Sequence, residues 1–420
     1  MATDPGPTPN PKPAKGIDER LARQAAKSAE RLARKGGDPR LRPGKRAGLL
    51  AGVAGLSAVG TVAGVSAARA LRHKEYIEDA YVGEDFALLE ADRGCVITTP
   101  DGVPLVVREV GPVTAPLTVV FAHGFCLRMG SFHFQRAALA EQWGEQVRMV
   151  FYDQRGHGGS GAAPVQTYTV SQLGQDLETV LQVMVPRGPV ILVGHSMGGM
   201  TVLSHARQFP GKYGKRIVGA ALISSAAEGL PRSPLGEILQ NPALEAVRFA
   251  ARYAPKLVHR TRGAARSVLR PILRTASYGD DHMSPSVVAF TENMIHDTPI
   301  ATLVEFLHAL EVHDESAALP VLAGIPTMIA CGDHDVLTPV IHSEEMAAVL
   351  PDSELVVVPG AGHLVQLEAP QIINDALVRL VERATARRRH RRRLAGTGLR
   401  CRRGPGCGAV AAIGGRAVDA

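Results

Sequence analysis

The sequence predicts an α/β fold: a mostly parallel sheet flanked by helices, with a helical cap inserted after the sixth strand. Three observations carry this. Short apolar runs at 117–122, 147–152, 190–193, 217–223, 325–330 and 355–358 are continuous rather than alternating, as strands buried on both faces are. Segments of helical periodicity lie between most of them, the alternation that builds βαβ units. Clusters of glycine and polar residues follow the runs, at the strand ends where open α/β sheets place their sites.

The chain of 420 residues is long enough for one large domain or two to three small ones, and its 45% hydrophobic content is that of an ordinary folded protein. The net charge of +7 is unevenly held: residues 1–46 carry 12 Lys/Arg against 5 Asp/Glu, residues 383–420 carry 11 Arg against 1 Asp, and 47–382 is left at −10. An acidic body with basic ends argues against a nucleic-acid-binding fold, although either end could meet an anionic surface. The five cysteines (Cys95, Cys126, Cys331, Cys401 and Cys407) are irregularly spaced and give neither a disulfide framework nor a metal-ligand pattern.

Taken in order, residues 1–46 form a basic tail, Pro-rich at first and expected to be disordered. Residues 47–68 run 22 positions without a charge, long enough as a helix to span about 33 Å at about 1.5 Å per residue. They are a candidate membrane anchor. The competing reading is a soluble Ala/Gly-rich helix or linker. The preceding basic excess would leave the N-terminus inside and the rest of the chain outside the cytoplasm. Residues 69–93 read as a helical connector. Residues 94–225 form the first part of the core, opening with a β-hairpin whose strands, 96–98 and 105–107, flank Asp101-Gly102. One helix, about 170–185, has Val170, Leu173, Leu177, Val180, Leu181 and Met184 on one face. From 226 to 319 the strand–helix alternation stops, and this stretch is the expected cap, with Arg262, Arg266, Arg270 and Arg274 repeating along it. Residues 320–386 complete the core, with a last helix at 371–382, and the Arg/Gly-rich 387–420 is expected to be a disordered tail.

The chemistry centres on Gly194-His195-Ser196-Met197-Gly198. This G-x-S-x-G spacing, between an aliphatic strand and a helix, describes a nucleophile elbow. The turn is tight enough that positions two before and two after the serine crowd each other, which calls for glycine. Ser196 would then stand exposed at the strand end, with the Met197 N–H aimed at a developing oxyanion. A serine needs a base, and the base needs an orienting acid. His363 follows the strand at 355–358 in a small-residue loop and is the base; His334 and His342 read as surface loop residues, and His195 as packing beside the elbow. Asp335, after the strand at 325–330, is preferred as the acid over Asp333, with Glu228 a third option. The order Ser196, Asp335, His363 is itself informative. A second oxyanion donor should come from the loop after 117–122, where His123-Gly124 precedes the Phe125 N–H.

Five motifs together (His123-Gly124-Phe125; Asp153-Gln154-Arg155-Gly156-His157-Gly158-Gly159-Ser160; Gly194 to Gly199; Gly332-Asp333-His334-Asp335; Gly360-Ala361-Gly362-His363) resemble the α/β-hydrolase superfamily over about residues 94–385. The likeness is greatest to its bacterial esterase, lipase and non-haem peroxidase-like branch. That resemblance implies Ser196 as nucleophile, Asp335 as acid, His363 as base, Phe125 and Met197 as oxyanion donors, and a structural role for the Asp153–Ser160 loop. Epoxide hydrolases and haloalkane dehalogenases of this fold carry Asp at the nucleophile position, so Ser196 argues against both.

The expected activity is hydrolysis of a carboxylic ester or thioester with an acyl or other apolar part, through an acyl-enzyme, with no metal or organic cofactor. The partner is a small-molecule ester or lipid, with membrane association through 47–68 and no nucleic acid. Alternatives are an acyltransferase or a C–C or amide hydrolase with the same triad, or a catalytically silent, membrane-tethered binding protein on this fold.

Overall fold

The computed structural model describes residues 78–230, 277–279 and 283–397. The basic N-terminal tail, the apolar segment 47–68, the arginine repeat at 262–274 and the end of the chain from 398 lie outside the described residues. Among the described residues no helix is long and apolar enough to cross a membrane.

Eight strands form one sheet: β1 (Arg93–Thr98), β2 (Pro104–Val110), β3 (Leu117–Ala122), β4 (Val147–Tyr152), β5 (Val190–His195), β6 (Ile217–Ile223), β7 (Thr327–Gly332) and β8 (Glu354–Val358), in the order β1-β2-β4-β3-β5-β6-β7-β8. From β4 to β8 all neighbours pair in parallel, and β1 and β2 form the expected antiparallel hairpin at one edge. Every residue of β3, β4 and β5 is buried, which is why their sequences read as unbroken apolar runs. Helices α1 (His133–Trp143), α2 (Val170–Met184), α3 (Met197–Gln208), α4 (Pro285–Asp297), α5 (Ile300–Glu311), α6 (Val340–Val349) and α7 (Pro370–Thr397) flank the sheet. The two faces make separate cores: Leu177, Leu181, Val202 and Leu203 cover one, while Phe132, Leu139, Leu377 and Leu380 cover the other.

Four expectations need correction. In the described part of the 69–93 connector, which begins at 78, residues 80–83 and 86–87 are turns and the helical part is Leu88–Ala91. Asp79 and Asp85 accept from the N–H of Tyr81 and Ala87, local bonds that compete with a helix, and Gly83 is left-handed at φ 86°. Strand β7 begins at Thr327 rather than 325, because Pro326 has no N–H to give the ladder. His342 is buried within α6, not a surface loop residue. The last helix runs on to Thr397, through residues expected to be disordered: Arg and Ala are strong helix formers, and Arg391 Nη1 donates to Gly214 O at 2.9 Å.

The Asp153–Ser160 loop is held by Arg155, whose fully buried guanidinium bonds both carboxylate oxygens of Asp176 at 2.6 and 2.7 Å and reaches Asp101 at 2.9 Å. Removing one partner of such a pair strands the other charge. Arg155→Leu is expected to destabilise the fold by about 3–5 kcal/mol, read from chemical denaturation; a midpoint within error of the wild type would contradict it.

Candidate active site

Register brings the site together. Ala122 of β3 lies opposite Gly194 of β5, so the loop after β3 and the turn after β5 emerge side by side. His195 pairs with Ile223, and Gly332 of β7 pairs with Val358 of β8, so the loops carrying Asp335 and His363 also leave the sheet as neighbours. The chain turns from β3 outward to β4 and back to β5, the strand-order reversal where α/β sheets open a crevice.

The elbow is as tight as its glycines imply. Ser196 has φ 53° and ψ −119°, a conformation that L-residues adopt only under constraint. Its N–H donates to Ile223 O at 2.8 Å, and its carbonyl accepts from Ser225 Oγ at 2.9 Å. A Cβ on Gly194 would lie 2.3 Å from Gly198 O, and one on Gly198 would lie 2.0 Å from Ala122 O. Both obstacles are backbone and cannot rotate away. Gly124 is constrained from the other side, since its Cβ would meet His195 Nδ1 at 2.7 Å.

Ser196 Oγ and His363 Nε2 are 2.9 Å apart. His363 Nδ1 lies 2.9 Å from Asp335 Oδ2 and 3.1 Å from Oδ1. With Nδ1–H donating to the carboxylate, Nε2 is left to accept the serine proton. All three residues are buried. Asp335 also accepts from the N–H of Leu337 and Thr338 and from Thr338 Oγ1. Burial pushes its carboxyl up, but His363 and the Thr338 donors outweigh that and hold it below its ordinary value, so it stays ionised. Asp333 instead accepts from Gly360 N–H at 2.6 Å, and Glu228 is exposed; neither has a hydrogen bond to His363 among the described residues.

The N–H groups of Phe125 and Met197 donate to no acceptor among the described residues. Met197 opens α3, where unpaired N–H groups and the helix dipole favour negative charge. Phe125 lies in the loop after β3, between Gly124 and the left-handed Cys126 (φ 58°). His123, which precedes Gly124 in this loop, is fully buried. Burial, with His157 beside it, keeps it neutral by lowering its pKa well below the ordinary value.

Residues that sequence reasoning did not select complete the arrangement. His195 is more than packing: Nε2–H donates to the His363 carbonyl at 2.9 Å, and burial lowers its pKa to about 3, so it remains neutral. Glu368 accepts from the N–H of Gly362, next to His363, at 3.0 Å and from that of Gly279 at 2.9 Å, fastening the segment 277–279 to the loop that carries His363. Thr338 could have been found from Asp335-x-x-Thr338, a spacing that forms side-chain-capped turns. The bonds of His195 and Glu368 cross between distant segments and leave no local spacing to read.

Above Ser196 the cavity is apolar, lined by Phe125, Met200, Leu230, Ile295, Leu307 and Leu310 among others. Ile295 comes from α4 and Leu307 and Leu310 from α5, so the helices between β6 and β7 cover this end of the sheet. Among the described residues no group of three or more His, Cys, Asp and Glu could hold a metal ion.

Residues 118–370 match the family model described as the alpha/beta hydrolase fold. The chain is similar to a monoacylglycerol lipase of Mycolicibacterium smegmatis, 31% identical over 129 residues, which take in 30% of this chain and 45% of that lipase. It is also similar to an sn-1-specific diacylglycerol lipase of Mus musculus, 26% identical over 64% of this chain and 81% of that one. Among solved structures, a thermophilic esterase from Thermogutta terrifontis superposes with a TM-score of 0.56 at 25% identity, over 70% of this chain and 99% of the esterase. With the sheet order, the elbow and the match across most of the core in agreement, the chain belongs to the α/β-hydrolase family.

Proposed function

We propose that this chain is a serine hydrolase that cleaves carboxylic esters, or thioesters, bearing an acyl chain or other apolar group. The single observation that supports it most is the hydrogen-bonded line Ser196 Oγ–His363 Nε2, His363 Nδ1–Asp335 Oδ2, each link 2.9 Å, set beneath an apolar cavity. In this reading Ser196 Oγ attacks the carbonyl carbon while His363 Nε2 takes the hydroxyl proton. The carbonyl oxygen becomes an oxyanion, bound by the N–H groups of Phe125 and Met197. As the tetrahedral carbon collapses, the ester C–O bond breaks and the imidazolium gives its proton to the departing alkoxide. Water, deprotonated by His363, then attacks the acyl-enzyme, and a second collapse releases the acid and restores Ser196.

Asp335 holds Nδ1–H throughout and stabilises the imidazolium. The stretch 226–319 acts as the cap, and the apolar side chains of Leu307, Leu310 and Ile295, which line the cavity among the described residues, choose the acyl part. Lipase relatives favour the same substrate class. Anchoring through 47–68, with this domain outside the cytoplasm, is the membrane part of the proposal and rests on charge asymmetry; partition of the full chain into the membrane fraction would support it.

A series of p-nitrophenyl esters from acetate to long acyl chains, given to the full chain, tests the activity. Rates well above buffer are expected, higher for acyl chains that fill the apolar cavity than for acetate. Buffer-level rates across the whole series would overturn ester hydrolysis and return weight to a binding protein on this fold.

A further inference from the structure

The two proposed oxyanion donors belong to different elements: Phe125 to the loop after β3, Met197 to the first turn of α3. They serve one oxygen only if their separation is held to a fraction of an ångström. Among the described residues no hydrogen bond runs directly from 123–127 to 196–201. The β3–β5 pairing joins the two elements at the sheet; beyond the strand ends, the hydrogen-bonded connection passes through Gln154, which is fully buried.

Gln154 holds the loop at two points. Its backbone N–H donates to His123 Nε2 at 2.9 Å, and its side-chain Nε2 donates to His123 O at 2.6 Å. Because His123 Nε2 accepts, the ring proton sits on Nδ1, which donates to Gly124 O at 2.8 Å. Gly124 O also accepts from Leu127 N–H at 3.2 Å. The Gly124–Phe125 peptide is trans, so fixing its carbonyl aims the Phe125 N–H in the opposite direction. On the other side, Thr201 Oγ1 shares its one proton between two acceptors, Gln154 Oε1 at 2.8 Å and Met197 O at 2.9 Å. The line therefore runs from the peptide of one donor, through a single buried amide, to the turn that carries the other.

A primary amide fits this place at any pH. It offers a donor toward His123 O and an acceptor toward Thr201 from one planar tip. Leucine of similar size offers neither and leaves His123 O without its side-chain donor. An ionised glutamate offers two acceptors, one of them facing a carbonyl. We propose that Gln154 is a positioning residue for the reaction, setting the separation of the Phe125 and Met197 N–H groups; the inference rests on the serine-hydrolase reading above.

The test compares full-length wild type, Ser196→Ala, Gln154→Leu, Gln154→Glu and Thr201→Val on one p-nitrophenyl ester. Gln154→Leu is expected to lower kcat about 10- to 100-fold, below the full loss of an oxyanion donor, with KM within about twofold. Thr201→Val is expected to lower kcat in the same manner by about fivefold, through the same line. Gln154→Glu carries the decisive signature. Its kcat, taken as a ratio to wild type, should rise as pH falls from about 8 to about 5.5, because the protonated carboxyl regains an O–H donor toward His123 O.

A residue that served packing alone would lower the melting temperature without separating kcat from KM, and its ratio would be flat in pH. Folded Gln154→Leu and Thr201→Val with kcat within about twofold of wild type would overturn the proposal, as would a flat Gln154→Glu ratio. If Gln154→Leu does not fold, Thr201→Val and Gln154→Glu decide the matter. A wild-type rate no higher than that of Ser196→Ala overturns the serine-hydrolase reading itself. A wild-type rate far above it, with the Gln154 and Thr201 variants unimpaired, overturns this inference alone.

Discussion

Ser196→Ala is expected to lower kcat by about 10⁴- to 10⁶-fold on any ester the wild type cleaves, with KM little changed. The alanine removes only Oγ, so the elbow, the cavity and both proposed oxyanion donors remain. Folding should be unaffected, because the left-handed conformation at this position is fixed by the Ser196 N–H bond to Ile223 O and by the crowding of Gly194 against Gly198, not by the hydroxyl. What the variant loses is the covalent route. Residual turnover then comes from binding and oxyanion stabilisation alone. Initial rates measured with enough enzyme to see a 10⁵-fold loss check this; a variant that keeps more than about one hundredth of the wild-type rate would remove Ser196 from the chemistry.

Asp335→Asn should cost about 10⁴-fold in kcat while leaving the fold intact. The reason lies in how the carboxylate is held. Leu337 and Thr338 N–H both donate to Oδ1 at 2.9 Å, so an asparagine keeps its carbonyl oxygen there. Its NH₂ group is then turned toward His363 Nδ1, which must accept. The imidazole proton moves to Nε2, and the nitrogen facing Ser196 becomes a donor where a base is needed. Asp333→Asn provides the contrast. Asp333 is engaged with Gly360 N–H at 2.6 Å, and its substitution should change kcat by no more than about threefold. Equal losses in the two variants would contradict the assignment of the acid to Asp335.

Much of this was legible because the informative features are local. Strands β3, β4 and β5 are buried throughout, so their apolar runs stand out. Gly194 and Gly198 are needed by a turn five residues long, and a short motif records that need. The strand ends then indicate which of 15 histidines matters. Other parts depend on what the chain meets after folding. His195 reaches the carbonyl of His363 across 168 positions, and Gln154 bridges His123 and Thr201; neither has a periodicity or spacing of its own. The turns at 80–83 and 86–87 were obscured because helix-compatible residues there are outcompeted by Asp79 and Asp85 bonding nearby N–H groups. The extension of α7 to Thr397 was missed for the opposite reason: a run of arginine reads as solvated tail, whereas Arg391 finds a carbonyl on the body of the protein.

The central claim is that Ser196 is a nucleophile activated by His363, and covalent capture tests it most directly. The full chain is treated with an alkyl fluorophosphonate, whose phosphorus is attacked by an activated serine with loss of fluoride, and the modified residue is found by peptide mass spectrometry. One adduct per chain is expected, on the peptide containing Ser196, absent in Ser196→Ala and formed much more slowly in Asp335→Asn. An unmodified Ser196 in protein shown to be folded, or equal labelling of the wild type and Ser196→Ala, would contradict the account.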